Sequence, residues 1–217
     1  GDICTKIWDK SYGGTASAGL GGTVLFAPKN ILINTTATGT SQYSIVLGYN
    51  YVDVARLKGN DLEAGDRFGT SVSLSGTQLA VGAPFDDGAN NATSGVGAVY
   101  LFNNPFTAPA LAGIIGKGYT GPGNLDVAAL ATNDNFGWSV SLVGTALAVG
   151  AVNDSGAANA TPGVGAVYLF NNPFTAPTLA GIIGKGYTGG GNLDVSALEA
   201  NDFFGASVSL SGAQLAV

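Results

Sequence analysis

Phe136-Gly137-Trp138-Ser139-Val140-Ser141-Leu142 runs into a short turn, then Leu147-Ala148-Val149-Gly150-Ala151, an Asn/Asp/Gly-rich loop, and Gly165-Ala166-Val167-Tyr168-Leu169-Phe170. The same wording begins at Phe68-Gly69, passes through Leu79-Ala80-Val81-Gly82-Ala83-Pro84 and reaches Gly97-Ala98-Val99-Tyr100-Leu101-Phe102. It starts a third time at Phe204-Gly205 and runs to Leu215-Ala216-Val217. The Phe-Gly pairs are 68 residues apart, as are Tyr100 and Tyr168. A period of this length marks a stack of similar supersecondary units rather than one irregular domain.

Within a unit the pattern is that of strands. Val72, Leu74, Leu79 and Val81 alternate with Ser71, Ser73, Ser75 and Ala80, and Ser75-Gly76-Thr77-Gln78 supplies a turn. That predicts a β-hairpin. Its off-face residues are small, which suits strands covered on both faces. Val99-Tyr100-Leu101-Phe102 predicts a third strand, stopped by Asn103-Asn104-Pro105, and Leu125-Asp126-Val127-Ala128-Ala129-Leu130 a fourth. Between them lies a Gly-rich stretch, 109–124, with Ile114-Ile115 as its apolar anchor. No stretch keeps a helical period long enough for a helix. Four short strands per unit is the grammar of a propeller blade. A blade buries its faces only when neighbours stack on it.

The predicted fold is therefore all-β, with about three four-stranded units in a partial β-propeller or an open β-repeat array. Residues 61–128 form repeat 1, 129–196 repeat 2, and 197–217 the first half of repeat 3. Residues 96–126 match 164–194 except at Ala110/Thr178 and Pro122/Gly190, which points to recent duplication. Residues 1–60 read as a β-rich leader, a degenerate half-repeat. In it Gly22-Thr23-Val24-Leu25-Phe26 echoes the strand at 97–102, and Val52-Asp53-Val54-Ala55-Arg56-Leu57 echoes 125–130. Leu47-Gly48-Tyr49-Asn50-Tyr51 matches the region at Ile115-Gly116-Lys117-Gly118-Tyr119 with a deletion.

Composition narrows the function. The chain has 35 glycines, 10% charged and 46% apolar residues, which is too apolar for disorder. No apolar run approaches the roughly 18 residues that span a bilayer. Acids and bases balance up to Arg67; beyond it eight acids face only Lys117 and Lys185, so the repeats carry the whole net charge of -6. Nucleic acid is an unfavourable partner for such a surface. The absence of His removes the Ser-His-Asp triad, the Cys-His pair and the commonest zinc ligand. Cys4 is the single cysteine, so no disulfide closes within the chain. With no Met, the chain is expected to be a processed product or a piece of a longer one.

These residues resemble the FG-GAP repeat, the blade unit of integrin-α-type β-propellers. The name-giving parts are Phe68-Gly69 with Gly82-Ala83-Pro84, Phe136-Gly137 with Gly150-Ala151, where Val152 replaces the proline, and Phe204-Gly205. The wording of Ile115-Gly116-Lys117-Gly118-Tyr119-Thr120-Gly121 and Asn124-Leu125-Asp126-Val127 is similar to repeats in large bacterial exoproteins with a filamentous-haemagglutinin-type secretion domain. The resemblance implies an extracellular protein of a bacterial cell surface. The stretch 22–33 also resembles the β-helix that such exoproteins place upstream, which competes with the half-repeat reading of the leader. Calcium-binding FG-GAP blades carry an Asp-rich loop between their first two strands. That place holds Ser75-Gly76-Thr77-Gln78, Val143-Gly144-Thr145-Ala146 or Ser211-Gly212-Ala213-Gln214, so the family's calcium site is not carried over.

Candidate chemistry sits elsewhere. Asp86, Asp87 and Asn90, with Asn153 and Asp154 in the second copy, place carboxylates and amide oxygens in Gly-containing loops, the ligand type that Ca²⁺ takes. The competing reading, which we favour, is a turn with Asp and Asn capping backbone amides. Asp66, Asp134 and Asp202, each two residues before a Phe-Gly, read as turn formers rather than as ligands around a pore. Asp86-Asp87 is the one close carboxylate pair, with nothing in the sequence to separate the two pKa values as a glycosidase requires. Gly116-Lys117-Gly118 lacks the spacing of a phosphate loop. Tyr119, Tyr187, Trp138, Phe106 and Phe174 are aromatics that stack sugars in some proteins and fill cores in most.

The expected function is a non-enzymatic structural or adhesive surface protein. Its copies would join head to tail, with Phe204, Val208, Leu210, Leu215 and Val217 of one chain completing Val24, Leu25 and Phe26 of the next by strand addition, and Cys4 as an intersubunit link. The alternative is a ligand-binding propeller fragment of a larger adhesin, recognising a host or neighbour-cell protein or glycan.

Overall fold

The computed structural model describes residues 62–106 and 108–217, together with the backbone of three strands further upstream. Those three, β1 (Gly22–Phe26), β2 (Lys29–Ile33) and β3 (Ile45–Leu47), form an antiparallel sheet in that order. They lie in a unit of their own, Gly1–Tyr51; the repeats lie in Val52–Val217. Cys4 and residues 52–57 are outside the described residues.

Each repeat is one sheet. Blade 1 consists of β4 (Ser71–Ser75), β5 (Gln78–Ala83), β6 (Ala98–Asn103), β7 (Ala110–Gly116) and β8 (Leu125–Asp126). Blade 2 consists of β9 (Phe136–Val143), β10 (Ala146–Ala151), β11 (Ala166–Asn171), β12 (Thr178–Gly184) and β13 (Leu193–Asp194). Both sheets keep sequence order, with the first four strands antiparallel and the short fifth parallel to the fourth. The hairpin β14 (Ser209–Ser211) and β15 (Gln214–Ala216) begins blade 3. The all-β repeat array expected from the sequence is what folds.

The predicted hairpin forms, with Gly76 in the left-handed region at φ 59°, which glycine enters without steric cost. The fourth strand is different from the reading above. It is β7, in the Gly-rich stretch, and Leu125-Asp126 is reduced to a two-residue edge. The cause is visible in the register. Ile114 and Ile115 pair with Tyr100 and Val99, and a bulge between Leu101 and Phe102 lets the Ala-Gly run follow. Glycine at 113 is required there, because a Cβ would lie 1.8 Å from the Gly123 carbonyl oxygen.

Alternation along each strand sorts residues onto two faces. In blade 1, Ala80, Val99, Leu101 and Ile115 point toward blade 2 and form one apolar cluster with Phe136, Val140, Leu142 and Tyr168 of its near side. Ala148, Val167, Leu169 and Ile183 on the far side of blade 2 meet Phe204, Val208 and Leu210 in the same way. We call the side facing the preceding blade the leading face and the other the trailing face. Tyr100, Phe102 and Ile114 belong to the leading face of blade 1, against Phe68 and Leu62. The core is thus a series of apolar layers between blades, as stacked repeats demand. No helix among the described residues is long and apolar enough to cross a membrane.

Candidate functional site

The joint between blades is built from the two halves of the repeated motif. Phe136 packs edge-on against Tyr168 at 5.4 Å and Phe170 at 5.9 Å in its own blade, as Phe68 does with Tyr100 and Phe102. Gly137, at φ 90°, turns its carbonyl oxygen toward the preceding blade. There Ser71 donates its hydroxyl to that oxygen at 2.8 Å. Gly82 makes room: a Cβ on it would lie 2.0 Å from the same oxygen. So the Phe-Gly of one repeat meets the Gly-Ala of the repeat before it. The next joint repeats this, with Ser139 donating to Gly205 O at 2.7 Å.

The alternating serines continue the seam. Ser73 Oγ accepts from Leu142 N at 2.9 Å and Ser75 Oγ from Gly144 N at 3.0 Å; Ser141 Oγ accepts from Leu210 N at 2.9 Å. A serine stripe therefore ties one blade's first strand to the backbone of the next. Asn135, which is buried, adds a clip by donating to Pro84 O at 2.9 Å and Gly95 O at 3.2 Å. The repeat count was legible in the sequence; this serine and asparagine bonding was not, since the sequence shows only small, polar off-face residues. The one available signal was their strict recurrence at Ser71, Ser139 and Ser207.

Asp86 and Asp154 occupy the centre of each long loop. Asp86 accepts from Gly88 N at 2.8 Å, Tyr100 OH at 2.7 Å and Tyr119 OH at 2.9 Å, and is fully enclosed. Asp154 repeats the arrangement with Gly156 N, Tyr168 OH and Tyr187 OH. Burial pushes both carboxyls up, opposed by the tyrosine and backbone donors. Burial likewise pushes the three phenols Tyr100, Tyr168 and Tyr187 up, with the adjacent carboxylate adding to it. The group is a closed hydrogen-bond node that fastens a loop to the third strand.

The other candidate ligands are spread out. Asp87 Oδ1 accepts from Gly95 N at 2.7 Å, closing the same loop. Asn90 is exposed at φ 60°, and Asn153 donates to Asn135 Oδ1 at 2.6 Å. Among the described residues no three His, Cys, Asp or Glu side chains come together as a metal-holding group. Asp66, Asp134 and Asp202 each accept from the backbone N–H three residues earlier, at 2.6 to 2.7 Å, closing the turn into a first strand. Burial raises the Asp134 carboxyl to about 7, with Asp154 adding and Lys117 opposing. Lys117 donates to Ala128 O at 3.0 Å and to Leu130 O, and Lys185 repeats this on Ser196 and Leu198. The Gly-flanked lysines therefore tie the outer edge of a blade to the chain leaving it.

Of the assembly residues, Phe204, Val208, Leu210 and Leu215 pack into the blade 2–blade 3 layer, while Val217 is half exposed. Val24, Leu25 and Phe26 lie on β1.

A profile described as FG-GAP repeat matches residues 51–102 and 130–170. No curated protein matches the chain. The matched segments hold both halves of the joint described above, and they support the FG-GAP repeat as the unit from which this array is built.

Proposed function

We propose that the chain is a non-enzymatic, extracellular structural and adhesive protein of a bacterial surface, in which the joint between blades also joins copies head to tail. The observation that carries this reading is the repetition of the joint. Ser71 to Gly137 and Ser139 to Gly205 are the same bond one period apart, so the contact is modular. Ser207, Ser209 and Ser211 present the same stripe again, exposed, on β14 and the residues before it. A second copy's leader, with β1 at Val24, Leu25 and Phe26, receives that face. Contacts of this heterologous kind produce rings or filaments.

Light scattering with negative-stain microscopy tests it, on the whole chain and on Ser207→Asp/Ser209→Asp. Rings or filaments for the parent and small particles for the variant are expected. A parent that stays monomeric up to about 100 μM, where any association stronger than about −5.5 kcal/mol would show, overturns the assembly.

A second reading, a glycan- or protein-binding propeller fragment, draws on one observation. The Arg67 guanidinium lies 4.3 Å above the Phe85 ring, and the Trp138 ring is 6.3 Å from Phe85, tilted by 59° to it. Such a partly exposed run of flat groups is the kind that stacks on a ligand face. Trp138→Ala is then expected to abolish retention of the chain on a glycan array, which the assembly reading leaves unchanged.

A further inference from the structure

The blades are copied closely, and one cluster of side chains breaks the copying. Arg67 in the turn into blade 1, Phe85 at the start of the loop between β5 and β6, and Trp138 on β9 stand together. One period on, the same places hold Asn135, Asn153 and Ala206. The backbone beneath them is unchanged. Phe85 N donates to Asp66 O as Asn153 N does to Asp134 O, each at 3.2 Å, and Trp138 N donates to Asn135 O as Ala206 N does to Phe203 O. In blade 2 a hydrogen bond from Asn153 to Asn135 Oδ1, at 2.6 Å, takes the place of the Arg67 contact with Phe85. With Ala206 in place of Trp138 the joint still closes, since Ser139 donates to Gly205 O. The scaffold therefore works without the cation and the two rings, which among the described residues come together once.

Arg67 also stands apart by charge. The basic residues among those described are Arg67, Lys117 and Lys185. Both lysines are held on backbone carbonyls. Arg67 is exposed, and no acceptor among the described residues takes its guanidinium N–H groups. Attraction to the Phe85 ring restricts this side chain while leaving its donors for an incoming group. Less rotamer freedom is then lost on binding. Phe85 and Trp138 are half-buried, and their rings stand at 59° to one another, so they do not close face to face.

The chemistry of these three groups selects a ligand. A carboxylate has two oxygens that match the guanidinium fork. A ring beside that fork offers an apolar surface to the C–H face of a pyranose, the combination of aromatic wall and few polar groups that small ligands use. A polyanion is disfavoured, because beyond Arg67 the chain has eight acids against Lys117 and Lys185, and each further negative charge meets that field. A neutral sugar leaves the guanidinium unused. We propose, resting on the ligand-binding reading of Trp138 above, that Arg67, Phe85 and Trp138 form a site for a glycan that ends in one carboxylated sugar, a uronate or a sialic-acid type. Arg67 pairs with the carboxylate, and Trp138 stacks on the sugar ring.

Saturation-transfer NMR on the full chain tests it, with sialyllactose, a glucuronate-terminated disaccharide, lactose and a short aspartate peptide as probes. At least one carboxylated sugar is expected to bind at least about tenfold more tightly than lactose, as hydrogen bonds between charged groups give; the two carboxylated probes separate the two sugar types. Trp138→Ala is expected to abolish the transfer. Arg67→Lys, which keeps the charge and loses the fork, is expected to weaken binding at least about fivefold. Arg67→Asn/Phe85→Asn installs the pair that blade 2 already carries. It is expected to keep the parent's melting temperature and to bind neither carboxylated sugar. Lactose bound as tightly as the carboxylated sugars overturns the carboxylate specificity and leaves the ligand-binding reading standing. No transfer to any sugar at about 10 mM overturns both. Transfer to the aspartate peptide with none to the sugars overturns the glycan as ligand. So does binding of the carboxylated sugars that survives Arg67→Asn/Phe85→Asn.

Discussion

Asp86 and Asp154 stand out in the sequence as the acids of two oxygen-rich loops. Folding gives each of them two tyrosine hydroxyls and a backbone N–H. Tyr100 comes 14 residues after Asp86 and Tyr119 comes 33 after it, so no local motif links the three. That is why the node was not legible, although each residue recurs with the period. Tyr168→Phe keeps the ring shape and removes the 2.7 Å donor to Asp154. It is expected to lower stability by about 1–3 kcal/mol, the cost of a buried acceptor short of a partner. Urea unfolding measures this, and an unchanged midpoint would contradict the structural role of the node.

Asp134 gives the residue scale a pH dependence. In an unfolded chain an aspartate ionises near about 3.9; in this fold burial raises Asp134 to about 7. The folded state therefore holds the proton more tightly. Its contribution to stability is complete below the unfolded value and is lost as pH rises through the folded one. Asp66, Asp86 and Asp154 are raised in the same sense by burial. The melting temperature is expected to fall between about pH 4 and about pH 7. Asp134→Asn, which keeps an acceptor for the Ala131 N–H, should flatten part of that fall. A melting temperature that rises across this window would refute the assignment.

At the scale of elements, the hairpins were readable because two-residue alternation survives in Ser71 to Val81, and the third strands because Val99 to Phe102 is a continuous β-prone apolar run ended by Asn103-Asn104-Pro105. The fourth strand was hidden for a physical reason. β7 is written Ala-Leu-Ala-Gly-Ile-Ile-Gly, where Gly113 accommodates the close approach of Gly123 and the small residues leave little alternation to see. Leu125-Asp126-Val127 looked more strand-like but serves as an edge, with Asp126 capping Gly118 N at 2.7 Å. The serine alternation was visible as small residues, and its meaning was not. Hydrogen bonds to a strand 66 to 69 residues away depend on the stacking of blades, which no local window contains.

For the whole molecule, the FG-GAP signature describes a contact between repeats as much as a repeat. Phe-Gly and Gly-Ala of neighbouring blades meet at the Gly137 carbonyl, and the apolar layer between blades 1 and 2 is built from both. A scaffold of this type grows by addition of similar layers and offers its loops and outer edges for binding, which is the basis of the adhesive and structural reading. The most direct measurement is denaturant unfolding of Gly82→Ala beside Gly65→Ala. A Cβ at Gly82 would meet the Gly137 oxygen and the Ser71 hydroxyl, and one at Gly65 would meet nothing within 4 Å. Gly82→Ala is predicted to destabilise the protein by about 1–3 kcal/mol, as overpacking does, with Gly65→Ala staying within about 0.5 kcal/mol of the parent. Equal midpoints for the two variants would contradict the joint between blades as the contact that holds the array together.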